Sequence, residues 1–185
     1  MRSLATFLTW AGLAASAPGA AAVTVIGGSD ARVCYEAADS PLVASFDILA
    51  ACDRALAGEP LAERDIVATH VNRGILRVRG GRYEAGIADF DAAIARDAAL
   101  GEAWFNRGVA HLRRNAPAEA LPSFDGAVAR TATLRPALAH FGRAVAHEAL
   151  GNVRAAYLDY RRASELEPGW DRPRAELARF AVRSD

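Results

Sequence analysis

Apolar, small and aromatic positions recur along this chain on helical spacing, separated by polar faces, and the recurrence has a fixed period. Asn72-Arg73-Gly74 returns as Asn106-Arg107-Gly108, and Phe90-Asp91 with Ala93 returns as Phe124-Asp125 with Ala127, each 34 residues on. A looser third copy follows after a further 36 residues, as Gly142-Arg143-Ala144 with Tyr160 and Ala163. Such a period predicts an all-α solenoid of helix-turn-helix units, in which one hairpin cannot bury its apolar face alone and each stacks on the next.

Glycine and proline divide the chain into elements. Val23 to Asp30 is a short apolar stretch containing Gly27-Gly28, expected as an extended lead-in. Two helices are predicted over 31–38 and 41–57, the second opened by Ser40-Pro41. Serine suits the cap there, and the missing proline N–H costs nothing in a first turn. Cys52-Asp53-Arg54-Ala55-Leu56 aligns with Phe90-Asp91-Ala92-Ala93-Ile94, so residues 23–64 read as a degenerate first hairpin. Beyond the turn at Gly58-Glu59-Pro60, paired helices are predicted over 61–79 with 82–97, 101–114 with 117–130, and 136–150 with 153–167. Gly80-Gly81, Gly151 and Pro168-Gly169 supply their stops. The loop 131–135 carries two additional residues, which accounts for the longer step. Pro122 falls inside the helix over 117–130, one turn before Gly126, and is expected to kink it. A last helix over 172–182, within the tail 171–185, bears arginine and glutamate as a solubilising cap would.

These copies resemble the tetratricopeptide repeat family over residues 65–170, with repeats at about 67–100, 101–134 and 137–170. The family pattern runs tryptophan, leucine-glycine, tyrosine, alanine, phenylalanine, alanine, proline. The second repeat reads Trp104, Arg107-Gly108, His111, Ala120, Phe124, Ala127, Ala132. The first reads His70, Arg73-Gly74, Arg77, Gly86, Phe90, Ala93, Ala98, and the third His140, Arg143-Ala144, His147, Ala156, Tyr160, Ala163, Pro168. The small positions hold in all three. The large ones drift, with arginine in place of leucine and histidine or arginine in place of tyrosine. Independently of the resemblance, small residues at Gly74, Gly86 and Ala93 allow two antiparallel helices to approach closely. Phe90 would then fill the gap between them and the first helix of the next repeat.

Composition removes some classes of function. The 22 basic residues, all arginine, balance 22 acidic ones, so the chain lacks the basic excess that nucleic acids and other polyanions require. Residues 1–22 read as a secretory signal: Arg2, an apolar run from Leu4 to Ala15, a break at Pro18-Gly19, and small residues Ala20-Ala21-Ala22 for cleavage. The run is short and alanine-rich beside the roughly 20 strongly apolar residues of a membrane span. The expected product is secreted or periplasmic after cleavage near Ala22, without membrane insertion; an uncleaved anchor is the alternative. In an oxidising compartment the only two cysteines, Cys34 and Cys52, favour a disulfide over buried thiols or a metal pair.

No catalytic, cofactor or metal constellation stands out. Ser40, Ser45, Ser123 and Ser164 sit in no Gly-x-Ser-x-Gly elbow. His70 and His140 share one repeat position, His111 and His147 another, which fits half-polar packing between helices. His140 and His147 lie two helical turns apart, roughly 10 Å, too far to share a metal directly. Gly27-Gly28 and Gly80-Gly81 lack the setting of a phosphate cradle. Glu84, Asp89 and Asp91 read as solvated surface.

Binding is the better reading, and here the resemblance supplies the candidates. In the family the first helix of each hairpin lines a concave groove. Carried over, this places Val71, Asn72, Ile75 and Arg79 from the first repeat on that face, beside Ala68 and Val78. The second contributes Glu102, Phe105, Asn106, Val109 and Arg113, beside Leu112. The third contributes Phe141, Val145 and Glu148, beside Leu138, Gly142 and Ala149. A carboxamide can donate to and accept from a peptide backbone at once, so Asn72 and Asn106 suit an extended or helical peptide; hydrogen bonding between helices is the alternative role. Chaperone-binding members of the family clamp a C-terminal carboxylate with cations. Ala68, Leu138 and Gly142 stand in those places, which argues against that ligand. The sequence therefore reads as an exported, non-catalytic adaptor for a peptide or partner helix. The alternatives are a structural subunit that self-associates or docks in an envelope complex, or an accessory domain of an envelope enzyme.

Overall fold

Packing of small helix faces against rings organises the whole molecule. The computed structural model describes residues 21–40, 46–130, 132 and 134–180, and every regular element among them is helical. The elements are α1 (Ser29–Asp39), α2 (Phe46–Gly58), α3 (Glu63–Arg79), α4 (Tyr83–Arg96), α5 (Gly101–Arg113), α6 (Pro117–Val128), α7 (Pro136–Ala149), α8 (Val153–Leu166) and α9 (Asp171–Leu177). A 3₁₀ turn, Ala178–Phe180, ends the described chain. Consecutive helices pair as α1–α2, α3–α4, α5–α6 and α7–α8, and α4 and α6 pack forward on α5 and α7. The result is the all-α tetratricopeptide-type solenoid, with α9 laid over α8 as the cap. Residues 1–20 of the expected signal over 1–22, the predicted helix start at 41–45 and the end of the last helix lie outside the described residues.

The helix pairs close on glycine. A Cβ placed on Gly74 would stand 2.6 Å from Phe90, and one on Gly108 would stand 2.8 Å from Phe124. On Gly142 the distance to the same Phe124 ring is 2.4 Å, so that ring is held between α5 and α7. Phe90, Phe124 and Tyr160 are almost wholly buried, each ring contributing roughly 1.5–3 kcal/mol. Gly86 seats α4 against α3, a Cβ there meeting Val78 at 2.5 Å.

Each first helix ends in the same way. Gly81, Asn115 and Gly151 all take positive φ, between 61° and 76°. The following N–H reaches the carbonyls of Arg77, His111 and His147 at 2.8, 2.9 and 2.9 Å, closing a Schellman turn in each repeat. Asn115 supplies in the second repeat what glycine supplies in the others. Helix α6 continues across Pro122 without interruption. Pro122 and Ala118, whose carbonyl loses a partner, are both exposed to water.

The arginines that replace the family's leucine form a ladder. Arg73 donates from Nη2 to Asp89 at 2.6 Å in its own hairpin and from Nη1 to Asp53 at 2.7 Å in the preceding one. Arg107 does the same with Ser123 at 2.9 Å and Asp91 at 2.7 Å. Arg143 repeats it with Asp159 and Asp125, each at 2.8 Å. Asp89 also accepts from Arg77 at 2.8 Å, and Nδ1 of His140 lies 2.8 Å from Asp159. The expectation of solvated carboxylates is therefore corrected for Asp89, which is 2% exposed inside this cluster. Asp91 is exposed but bonded to Arg107, and Glu84 is exposed beside Arg114. Periodicity marks a face as polar; it does not say that an arginine closes over it.

Burial pushes the carboxyls of Asp89 and Asp159 upward. The arginine and histidine hydrogen bonds and the arginine charges outweigh this, and both end below the ordinary carboxylate value. In the degenerate hairpin, Cys34 and Cys52 are disulfide-bonded with Cα atoms 5.1 Å apart, and both are fully buried.

Three outcomes follow for stability. Phe124→Ala is expected to cost about 3–5 kcal/mol, read by denaturant unfolding, because it opens a cavity between three helices. Reduction of the disulfide is expected to lower stability by about 3 kcal/mol, read as a drop in Tm with added reductant. A depressed folded pKa gives stability that is fully present above the unfolded value, about 3.9, and is lost as pH falls from there through the lower folded one. The melting temperature should thus fall on acidification below about pH 4, and Asp89→Asn should start lower at neutral pH and flatten that fall.

Candidate peptide-binding groove

Helices α3, α5 and α7 lie side by side, each touching the next, and the resemblance makes their common face the groove. Val71 and Ile75 from α3 are fully buried in one apolar cluster. Phe105 from α5 with Phe141 and Val145 from α7 belong to a second, against which Val109 packs. Asn72 and Asn106 are 0% and 2% exposed.

The asparagines are buried because the chain's own lead-in covers them. Asn72 Oδ1 accepts from the N–H of Val23 at 2.9 Å, and its Nδ2 donates to the carbonyl of the same residue at 2.7 Å. One carboxamide thereby reads both backbone groups of one residue. Asn106 Nδ2 donates to the carbonyl of Ala21 at 3.2 Å. Further along, the N–H of Ile26 donates to Asp65 Oδ1 at 3.3 Å. The segment has no helical structure and alternates: Val25 is buried among Ala31, Ala55 and Ala68, while Thr24 and Ile26 face outward. Ala21 packs on the Phe105–Phe141 cluster, and Ala22 and Val23 on the Val71–Ile75 cluster.

The downstream end of the segment is anchored by one carboxylate. Glu59 accepts from the backbone N–H groups of Asp30 at 2.9 Å and Ala31 at 3.2 Å, and from the Ser29 hydroxyl at 3.2 Å. These bonds to the first turn of α1 hold the Glu59 carboxyl below its usual value, against the effect of burial. Gly28 makes the corner at φ 73°, where a Cβ would fall 2.1 Å from Glu59.

Two of the charged candidates have other roles. Arg79 donates to the carbonyls of Ser40 at 2.5 Å and Ala37 at 3.4 Å, serving the end of α1 instead of the groove. Burial and the neighbouring Arg113 charge hold its guanidinium below the usual value. Glu148 accepts from the Tyr160 hydroxyl at 2.8 Å and from Arg179 of the cap. Glu102 is half-buried in the first turn of α5, and Arg113 is exposed. Two participants escaped the sequence reading, Asp65 and the segment 21–26 itself. The available signal was the alternation through Val23 and Val25 ahead of Gly27-Gly28. Among the described residues no group of three or more histidine, cysteine, aspartate or glutamate side chains could hold a metal, and no helix is long and apolar enough to cross a membrane.

Residues 71–135 match the tetratricopeptide repeat family. The stacked hairpins align with solved members of it at TM-scores near 0.6. The fold is the tetratricopeptide-repeat solenoid. The first such domain of Spaghetti (RPAP3), bound to the HSP90 peptide SRMEEVD, aligns at TM-score 0.59 with 25% identity over 62% of this chain and 92% of that one. The second domain of human RPAP3, in complex with the HSP70 peptide SGPTIEEVD, aligns at 0.57 with 26% identity over 62% and 93%. The Arabidopsis OM64 domain shares the fold at 0.60 with 20% identity over 65% and 98%. No curated protein matches the chain significantly. In this repeat solenoid the clusters around Phe90 and Phe124 build the wall, and the asparagines face Ala21 and Val23.

Proposed function

We propose that this tetratricopeptide-repeat chain is a non-catalytic interaction adaptor whose concave groove holds a peptide by its main chain. The observation that carries the reading is the paired hydrogen bond of Asn72 to both backbone groups of Val23. A helix-mounted carboxamide set over an apolar floor can grip any extended segment in that way. The similar RPAP3 domains hold chaperone peptides, which supports a peptide as the ligand class. In this chain Ala68 and Leu138 are buried apolar residues, and Gly142 receives the Phe124 ring. The resemblance would put carboxylate-binding cations at those positions, so the groove suits an apolar, main-chain-read segment and not an acidic tail. The leader over 1–22 and the Cys34–Cys52 disulfide support a secreted or periplasmic setting.

The test is capture from a cell-envelope extract with the chain beginning at Val23, against the Asn72→Ala, Asn106→Ala double variant. The double variant should lose the captured partners. Its stability should fall by only about 1–2 kcal/mol, since each lost neutral hydrogen bond is worth about 0.5–1.5 kcal/mol. Undiminished capture by the double variant would sink the proposal.

A further inference from the structure

The groove is filled from within. Residues 21–26 belong to no helical pair, yet Val23 among them bonds both polar atoms of the Asn72 side chain, and they cover the apolar floor beside it. Four main-chain bonds hold them: the N–H and carbonyl of Val23, the carbonyl of Ala21 and the N–H of Ile26. The side chains used are small, Ala21 and Val23 toward the floor and Val25 in the pocket formed with Ala31, Ala55 and Ala68. Ile26 is 66% exposed, and Gly27-Gly28 separates the segment from α1, whose start stays fixed on Glu59. The segment can therefore leave without disturbing a repeat.

We infer that residues 21–26 are a resident ligand of the groove, bound in cis, and that a partner peptide enters by replacing them. This rests on the adaptor reading and adds the ligand's chemistry. The partner is an extended peptide with small or β-branched residues at alternate positions, in the pattern Ala-x-Val-x-Val. Its residue over Asn72 is not proline, because that residue must donate an N–H. A segment tethered a few residues away acts at an effective concentration in the millimolar range, so it discriminates against weak competitors. Cleavage near Ala22 would remove Ala21 from Asn106 and leave the Asn72 and Asp65 contacts in place, opening the half of the groove at Phe105 and Phe141.

The test uses full chains and a fluorescent synthetic peptide of residues 20–27, blocked at both ends. Val25→Asp puts a charge into the Val25 pocket, and Val23→Pro removes the N–H that Asn72 accepts. Each should expel the segment while circular dichroism stays helical, since each changes only the segment's side of its contacts with Asn72, Ala55 and Ala68 and leaves every helix residue unaltered. Both variants are expected to bind the peptide at least ten-fold more tightly than the unaltered chain. Adding Asn72→Ala should abolish that binding, and the same peptide carrying proline at the Val23 position should not bind. In the unaltered chain the Val23 amide should be protected from hydrogen exchange, and Asn72→Ala should remove the protection. Equal peptide binding by the unaltered chain and both variants, or a Val23 amide that exchanges freely, overturns the inference. Partner capture sensitive to the asparagines yet unaffected by Val25→Asp would overturn it and leave the adaptor reading standing. Segment release without any asparagine-dependent capture would overturn the adaptor reading and the inference with it.

Discussion

An aromatic ring resting on a glycine is the contact on which the remaining geometry depends. Phe90 on Gly74 and Phe124 on Gly108 bring the two helices of a hairpin closer than any side chain at those glycines would permit. Because the interior is close-packed, that separation is not adjustable by much. Phe124 also meets Gly142, which carries the spacing forward into the next repeat. Gly142 occupies the repeat position that holds Asn72 and Asn106 in the earlier copies, so the row of carboxamides stops where the ring needs room. The same requirement that builds the wall thus bounds the polar part of the groove.

On this frame the arginines act within and between repeats. Arg73, Arg107 and Arg143 each bond within their own hairpin and to the one before. Buried ion pairs are weak sources of net stability because desolvation offsets attraction. Their effect lies in what happens when a partner is lost, since a stranded charge is costly. A slip of one repeat against the next would break the bond to Asp53, Asp91 or Asp125, each more than half exposed and so worth little. Asp89 and Asp159 would keep the arginine of their own hairpin. The buried bond closes the hairpin, and the exposed one adds little to the stacking. Ser123, standing where the other repeats have aspartate, gives the middle hairpin a neutral version of the same bond.

The concave face shows a third consequence. Carboxamides 0% and 2% exposed are stable only with their hydrogen bonds met, and the lead-in segment meets them. Recognition through the main chain tolerates varied side chains, and the small residues of segment 21–26 let its backbone approach the floor. Two of the charged groups projected onto the groove are drawn elsewhere, Arg79 to the end of α1 and Glu148 to Tyr160 and the cap, while Glu102 and Arg113 stay on it. What remains for a ligand is an apolar trough with two amides, Asn72 and Asn106, and the charges of Glu102 and Arg113.

Much of this was legible in the chain alone, for a definite reason. Helical spacing and a repeat near 34 residues are local, periodic properties, so the glycine, alanine and phenylalanine positions announce hairpins and their stacking before any contact is known. Helix ends at Gly81 and Gly151 were readable because left-handed backbone favours glycine; Asn115, which takes the same conformation, carried a weaker signal. The disposition of polar groups was not readable. Asp89 looked like surface because one residue's polarity does not reveal an arginine 16 positions earlier closing over it. Val23 and Asn72 are 49 residues apart, and nothing local couples them. Sequence determined the repeat and the hairpins, and the resemblance it carries suggested which face lines the groove. Only the tertiary structure decided which charges neutralise one another and that the hollow is filled by the chain itself, because those pairings depend on distances set after the helices have packed.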